Sequence, residues 1–149
     1  MANNLKELLA EHETKKNATK TGKEMHEKLR LIRVLADCDM VDTKLKKRIE
    51  SCDGLSMFFT ENAKTEVPIA GIINGYFASR RIDRLVVDDA KKVVRILDYK
   101  TDVDKTSLRD KYMAQLGEYE KLIRQIYPRY KVEKYILWLH DWVLEPIKP

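Results

Sequence analysis

The sequence predicts an α/β fold in which a mixed central β-sheet is flanked by helices. The first third of the chain carries apolar residues three and four positions apart, which is the spacing of amphipathic helices. Between Ser56 and Tyr99 that period gives way to short runs of β-branched and aromatic residues, as in strands. One more helix and two more strands follow, and this order favours a mixed sheet with helices packed on it. The 149 residues are predicted to form a single domain, with an N-terminal helix and connector at 1–20 and a core at 21–149.

Composition narrows the class of protein. Hydrophobic residues make up 44% and charged residues 36% of the chain, which fits a globular protein and argues against disorder. The net charge of +5 mildly favours a polyanionic partner. No apolar run approaches the roughly 20 residues that span a bilayer, and the N-terminus has no apolar signal core, so a cytoplasmic protein without a membrane partner is expected. Cys38 and Cys52 are too few for an iron–sulfur cluster, which takes about four thiolates.

Three helices are predicted before the strands, separated by polar or helix-breaking residues. Thr21 and Glu24 have capping-box spacing and so start the second helix, while Gly54 stops the third. A polar, Lys/Thr-rich connector separates the first two helices. The predicted ranges are 4–12 for the first helix, 13–20 for the connector, 21–36 for the second helix and 42–52 for the third.

Five strands are predicted before the last helix and two after it. Ser107 and Asp110 repeat the capping-box spacing and open that helix, with a stripe of Leu108, Tyr112, Leu116, Leu122 and Ile126 on one face. Pro128 ends the helix near residue 126, because proline cannot continue its hydrogen bonding. The predicted strands are 57–60, 66–70, 72–77, 81–87 and 93–99, followed by 132–139 and 142–147.

The hairpin between strands 81–87 and 93–99 brings carboxylates together. Asp89 and Ala90 are predicted as a two-residue turn, which pairs position 88 with 91 and therefore 83 with 96. Because side chains alternate between faces, Asp98 and Lys100 share the face of position 96, and so does Asp83. Asp83 and Asp98 are then diagonal neighbours about 7 Å apart, within reach of one shared cation. A register slip of one residue would move Asp83 to the opposite face.

Spacing alone leaves two interpretations of this acidic face open. Paired carboxylates at the end of an apolar strand are unfavourable unless a metal ion or a lysine neutralises them. Lys100 therefore either belongs to a metal centre or simply pairs with Asp98 or Asp102 at a wet sheet rim, as most strand-end charges do.

Five segments, in order along the chain, resemble one nuclease family. They are "TGKEMHEKL" (21–29), "TEVPIAG" (65–71), "RRIDRLVVDD" (80–89), "VVRILDYKTD" (93–102) and "YMAQLGEY" (112–119). Together they are similar to the RecB-like nuclease domains of the PD-(D/E)XK superfamily, and most to the C-terminal nuclease domain of AddA- and RecB-type helicase–nucleases. The resemblance implies a restriction-endonuclease-like core and a Mg²⁺- or Mn²⁺-dependent deoxyribonuclease that cuts DNA during recombinational repair. It also implies a helicase core or helicase–nuclease subunit as a partner and a nucleoid-associated location; the chain itself has no Gly-x-x-x-x-Gly-Lys-Ser/Thr loop.

The same resemblance implies the metal-binding and catalytic residues. His26, Asp83 and Asp98 would be side-chain ligands of a divalent cation, and the Tyr99 carbonyl would add an oxygen. Lys100 would position or activate the attacking water, so that it counts as catalytic together with Asp83 and Asp98. Hard oxygen ligands with one imidazole suit Mg²⁺ or Mn²⁺.

Other motif positions are implied to support the site. Glu66 matches the acidic position of the family's first strand and is counted as catalytic, with a role near the lysine. Gln115 and Tyr119 match the family's Gln-x-x-x-Tyr motif and would touch DNA or brace the site, although an aromatic at position 119 is usually core. Arg80 stands where the family usually has glycine, so it either narrows access or reaches a DNA phosphate.

An alternative function uses the same fold without catalysis. The chain would then be a DNA-binding or helicase-docking module whose acidic cluster no longer cuts. By itself His26 fits an ordinary helix histidine, and the basic run at 44–48 fits a solvated helix face as well as a DNA contact. The complete set of ligands with the lysine favours the nuclease.

Overall fold

A five-stranded sheet with the strand order β1-β2-β3-β4-β5 organises the chain in the computed structural model, which describes the backbone of residues 2–149 and the side chains of residues 4–10, 12 and 20–149. Strands β3 and β4 run parallel and all other neighbours run antiparallel, so the sheet is mixed, as predicted. Among the described residues, no helix is both long and apolar enough to cross a membrane. The elements are α1 Ala2–Arg30, α2 Cys38–Val41, α3 Thr43–Ser51, β1 Ala63–Ile73, β2 Tyr76–Asp88, β3 Val93–Lys100, α4 Arg109–Ile126, β4 Lys131–Trp138 and β5 Val143–Ile147, with 3₁₀ turns at Leu35–Asp37 and Leu55–Phe58.

The sheet separates two apolar cores. One core lies between the sheet and helices α1 to α3, and it contains Leu29, Ile49 and Phe58. The other lies between the sheet and α4, and it contains Ile82 and Leu116. Below, the two sides of the sheet are called the α1 face and the α4 face.

Helix α1 is continuous where the sequence predicted a connector. The backbone stays helical through residues 13–20, and Thr21 lies inside the helix rather than at its start, so both expectations were wrong. No proline or glycine interrupts residues 2–21. Lysine has a high helix propensity and threonine only a slightly lower one, so a Lys/Thr-rich stretch can stay helical. The helix ends at Arg30 instead of residue 36, because Leu31 and Ile32 bond back to Lys28 and Leu29 in tighter turns.

A side-chain cap starts α3, whereas α4 begins after Leu108 without one. Asp42 accepts a hydrogen bond from the Lys44 N–H and so starts α3 close to its predicted range. The capping box predicted at Ser107 was wrong, since Ser107 bonds to Asp104, whose carboxylate also accepts the Thr106 N–H. Helix α4 ends at residue 126, before Pro128, as predicted. Its stripe was partly wrong, because Leu108 and Ile126 are exposed while Tyr119 and Ile123 are buried.

The first strands differ from the prediction in number. Residues 57–60 are not a strand, since most of them belong to a 3₁₀ turn and bends that bury Phe58 and Phe59. The predicted strands 66–70 and 72–77 are wrong as separate strands, because β1 runs through Gly71 and the chain reverses at Asn74-Gly75. Asn74 and Gly75 have φ of 51° and 82°, the left-handed pair that a tight hairpin turn requires.

The register of the β2–β3 hairpin is two residues away from the predicted one. Asp88 pairs with Val93 rather than with position 91, so the loop has four residues. The Asp88 carboxylate accepts the Lys91 N–H at 3.0 Å, and Lys92 closes the loop with a φ of 54°. A two-residue error keeps every side chain on its face, so the predicted meeting of Asp83 with Asp98 survives.

In strands β1 and β2 the alternation of side chains between the α1 face and the α4 face reverses at one cross-strand pair. On β2, Ile82 and Leu85 both belong to the α4 core although they are three positions apart, an offset that places side chains on opposite faces of a regular strand. Val86 belongs to the α1 core. On β1, Ala63 belongs to the α1 core and Ile69, six residues later, to the α4 core. The changes coincide at Glu66 and Asp83, where Glu66 has a left-handed φ of 51°. Beyond this pleat reversal, Ile69 and Ala78 of the hairpin pack in the α4 core.

A buried arginine joins α1 to the sheet. Arg84, with no exposed surface, donates to the carbonyls of Leu29, Ile32 and Phe58 and, through Nε, to the Tyr99 hydroxyl at 2.9 Å. Its guanidinium also lies over the ring of Phe59, 3.9 Å from the centroid. The carbonyls at the end of a helix carry a partial negative charge, so the guanidinium caps α1 at the end where a cation is favourable.

Replacing Arg84 should destabilise the fold strongly. Arg84→Met removes the donors of several buried carbonyls, each of which costs about 1–3 kcal/mol when unpaired. We expect the free energy of unfolding to fall by about 3 kcal/mol or more in urea denaturation followed by circular dichroism. Arg81→Met, on the exposed side of the same strand, should change it by less than about 0.5 kcal/mol. Equal losses in the two variants would contradict this role of Arg84.

Candidate metal centre

Three carboxylates form a row across three adjacent strands. The β1–β2 register pairs Thr65 with Arg84 and Val67 with Ile82, which sets Glu66 opposite Asp83. The β2–β3 register, continued by one position, sets Asp83 opposite Asp98. The row lies where β1 and β2 reverse their pleat, so its side chains are not confined to one face of the sheet.

His26 closes one end of the row from helix α1. Its Nε2 lies 3.2 Å from Glu66 Oε1 and 3.4 Å from Asp83 Oδ1. One ligand atom from each of these three residues lies within 4.8 Å of the others, as expected for groups that hold one metal ion. The imidazole is oriented by an edge-to-face contact with the Tyr99 ring, at 5.1 Å between centroids.

The charge around His26 favours its protonated form. The hydrogen bond to Asp83 raises the pKa of His26 to about 9, burial opposes that rise, and Glu66 adds to it. Burial acts to raise the pKa of Asp83, but the bonds from His26 and from the Tyr99 N–H, which is 2.8 Å from Oδ2, bring it below its ordinary value.

Asp98 is the buried member of the row. Only 3% of its surface is exposed, and burial followed by the negative charge of Asp83 raises the pKa of Asp98. Lys100 Nζ lies 2.7 Å from Asp98 Oδ2, so this buried carboxylate forms an ion pair with the ammonium. Two neighbouring carboxylates, one of them buried, are unfavourable without a cation, and Lys100 supplies one at this end of the row.

Helix α4 holds Lys100 from the other face of the sheet. Lys100 Nζ donates to Gln115 Oε1 at 2.7 Å, and Gln115 Nε2 donates to the Tyr119 hydroxyl at 2.9 Å. The ammonium also lies over the Tyr112 ring, 4.2 Å from the centroid. These partners fix the direction in which the lysine points.

Most of the predicted site residues therefore meet at one place. His26 contacts Asp83, Asp83 neighbours Asp98, and Asp98 pairs with Lys100. Gln115 and Tyr119 brace the lysine as the motif implied, and Tyr119 is also buried in the core. Glu66 contacts His26 rather than the lysine. Arg80 pairs with Glu118 at 2.8 Å on the α4 face, and its role in access or in DNA contact stays a prediction. The Tyr99 N–H donates to Asp83 and the Tyr99 ring contacts His26, while the Tyr99 carbonyl as a metal ligand stays a prediction.

Sequence reasoning missed two residues that shape the site. Arg84 stands inside the apolar run Ile82 to Val87, and a cation in such a strand was a signal of a buried partner. Tyr112 lies three residues before Gln115, so helical spacing alone places both side chains on one face of α4.

A comparison of the chain with profiles of known protein families finds no match, and a comparison with curated proteins finds none either.

The raised pKa of His26 predicts a pH-dependent stability for the metal-free protein. Because the folded-state pKa of about 9 lies above the unfolded value of 6.5, the contribution of His26 is fully present below pH 6.5 and disappears as pH rises through 9. With EDTA present, His26→Gln should lower the free energy of unfolding at pH 6 and have little effect near pH 9.5. A difference between wild type and variant that stays constant over this range would rule out the protonated pair.

Proposed function

We propose that the chain is a metal-dependent DNA nuclease domain that hydrolyses phosphodiester bonds. The observation that carries this proposal is the convergence of His26, Glu66 and Asp83 within 4.8 Å, next to the Asp98–Lys100 pair. A carboxylate row with one imidazole and one oriented lysine is a combination that metal-dependent phosphodiester hydrolysis can use. Grouping these carboxylates is unfavourable for folding alone, so the arrangement favours a functional site.

The donor set fits one divalent cation. Carboxylate oxygens and a single imidazole are ligands that Mg²⁺ or Mn²⁺ accepts, and softer sulfur ligands are not part of the cluster. With His26 neutral, the three carboxylates and the ammonium of Lys100 leave two negative charges, which one divalent cation balances. His26, Glu66 and Asp83 would hold the ion, with Asp98 next to Asp83 in the row.

A bound Mg²⁺ would supply Lewis-acid chemistry, polarising a phosphate oxygen and lowering the pKa of water. Lys100 would orient the attacking water and face charge that develops on the phosphate. Its ammonium is suited to this role because Gln115, Tyr112 and Asp98 restrict its position from three directions. Asp98 holds the ammonium at one end of the row through their ion pair of 2.7 Å.

The wider context of the proposal comes from the resemblance. The mixed sheet with helices on both faces is compatible with a restriction-endonuclease-like core, and the motifs at 80–89, 93–102 and 112–119 supply the residues of the site. We therefore propose a nuclease of the RecB-like type that works with a helicase in recombinational repair.

Removing a carboxylate of the row should abolish metal-dependent cleavage. With labelled linear single-stranded and duplex DNA and Mg²⁺ or Mn²⁺, Asp83→Asn and Lys100→Met should each reduce the rate by about 100-fold or more, since even outer-shell changes around a metal cost 10–100-fold. Gel electrophoresis of the products measures the rate.

Two exposed residues provide matched controls for this assay. Asp110→Asn, in the first turn of α4, and Lys131→Met, across from Val93 and so seven strand positions from Lys100, make the same chemical changes and should leave cleavage intact. Cleavage in EDTA, or full activity of Asp83→Asn, would contradict the proposed mechanism. Metal-dependent DNA binding without cleavage would instead favour the non-catalytic module.

Cation binding should release a proton near neutral pH. His26 must lose its proton to become a ligand, and its pKa of about 9 means that it still carries one at pH 7.5. Calorimetric titration with Mn²⁺ in buffers of different ionisation enthalpy should give close to one proton released per ion. His26→Gln should bind more weakly and release only the fraction of a proton that Asp98 carries, because burial and Asp83 raise the pKa of Asp98 to about 7. Wild-type binding without proton release would exclude the imidazole as a ligand.

A further inference from the structure

Strands β1 and β2 continue past the carboxylate row as a hairpin that β3 does not accompany. The β2–β3 pairing ends at Arg84 and Leu97, whereas the β1–β2 pairing runs on to Ile73 and Tyr76. Helix α4 covers one side of this hairpin. The side that points the other way is called the hairpin face, and all of its residues are exposed: Pro68, Ala70, Ile72, Phe77, Ser79 and Arg81.

The hairpin face combines a cation near the metal centre with an aromatic at its tip. Arg81, across from Pro68, is two residues from Asp83 and so roughly 7 Å from it along the strand. Phe77 lies across from Ile72, roughly 20 Å from Asp83, and 74% of Phe77 and 53% of Ile72 are exposed. Phosphate-binding and base-stacking chemistry are thus aligned on one strand that leads to the site.

The tip is held in place by α4. The Gln125 side chain accepts the Ile72 N–H at 3.0 Å and donates to the Ile72 carbonyl at 2.7 Å, as a neighbouring strand would. Gly71 allows this approach, because a Cβ there would lie 2.4 Å from Gln125 Oε1. The exposed face is therefore presented by a fixed backbone, which lowers the entropy cost of binding.

We propose that the hairpin face binds single-stranded DNA and leads it to the metal centre, an inference that rests on the proposed function for the identity of the polymer. Arg81 contacts a phosphate close to the scissile one, and Phe77 stacks on an unpaired base several nucleotides away. Arg80 plays no part in this path, because its side chain points to the α4 face and pairs with Glu118.

Two properties of the face favour a single strand over other occupants. The bases of a duplex are stacked inside the helix, so an exposed phenylalanine finds no free base face there. A face two strands wide and three residue pairs long covers about 200 Å² by strand spacing, well below the roughly 800 Å² per partner of a stable protein interface.

Fluorescence anisotropy with labelled oligothymidylate in EDTA tests the proposal, because no cleavage can occur. Phe77→Ala should weaken binding about tenfold, as expected for the loss of one stacked base. Tyr76→Ala is the matched control: this neighbouring aromatic is 79% exposed but lies on the other side of the hairpin, and its loss should change affinity less than twofold. Arg81→Gln should weaken binding and lower the slope of log K against log salt by about 0.7, whereas Arg129→Gln, in the exposed loop after α4, should not weaken binding comparably.

An abasic oligonucleotide separates stacking from charge. Wild type and Phe77→Ala should bind it equally, while Arg81→Gln should still bind it more weakly. Equal effects of Phe77→Ala and Tyr76→Ala, or a Phe77 effect that persists on the abasic strand, would overturn the proposal.

A second result would also overturn the proposal. If Phe77→Ala changes self-association in light scattering but leaves DNA affinity unchanged, the hairpin face is a contact between copies of the chain. Cleavage with Mg²⁺ is measured separately. Cleavage that is insensitive to both variants overturns this inference alone, whereas the expected binding without any cleavage supports it and overturns the proposed nuclease.

Discussion

The position of the candidate site depends on the buried guanidinium of Arg84. It gathers carbonyls from the end of α1 and from the turn at Phe58, and it also holds the Tyr99 hydroxyl on β3. Because His26 lies one helical turn before Leu29, the bonds that end the helix also fix the imidazole against Asp83. Lysine would offer too few donors in the wrong geometry, and an apolar residue would leave the carbonyls unpaired. One residue outside the site thus determines whether its histidine is in place.

The left-handed backbone of Glu66 is a second constraint, and it has a cost of about 1–3 kcal/mol. Such a conformation persists only where the surrounding structure enforces it, and here the pairing of β1 with β2 continues in register on both sides. The reversal lets the same two strands bury residues against α1 near the β3 pairing and against α4 along the hairpin. At the crossing point Asp83 reaches both His26 and the Tyr99 N–H. Strain at Glu66 and convergence at Asp83 are therefore one feature of the fold.

The alternation of residues predicted which face of the sheet a side chain lies on better than it predicted the lengths of strands and loops. Alternation placed Asp98 with Lys100 and survived a register error, because the four-residue loop after Asp88 shifts the pairing by an even number. The Asn74-Gly75 turn was within reach of the sequence, but the β-branched run around it was read as a strand. The pleat reversal could not be predicted from the sequence, since it is imposed by packing against two helices. Nothing in periodicity joins His26 to Asp83, 57 positions apart; only the resemblance did.

The separation of His26 and Lys100 explains why the lysine does not simply neutralise the whole row. His26 and its contacts with Glu66 and Asp83 belong to the α1 side, whereas Gln115 and Tyr112 hold Lys100 from α4. The ammonium is thereby tied to Asp98, and the three groups at the other end keep a geometry that suits a cation. If Lys100 could move along the row, its ammonium would compete with the divalent cation for the place between His26, Glu66 and Asp83. The sheet, by keeping the two helices on opposite faces, leaves room for two different cations at one row of carboxylates.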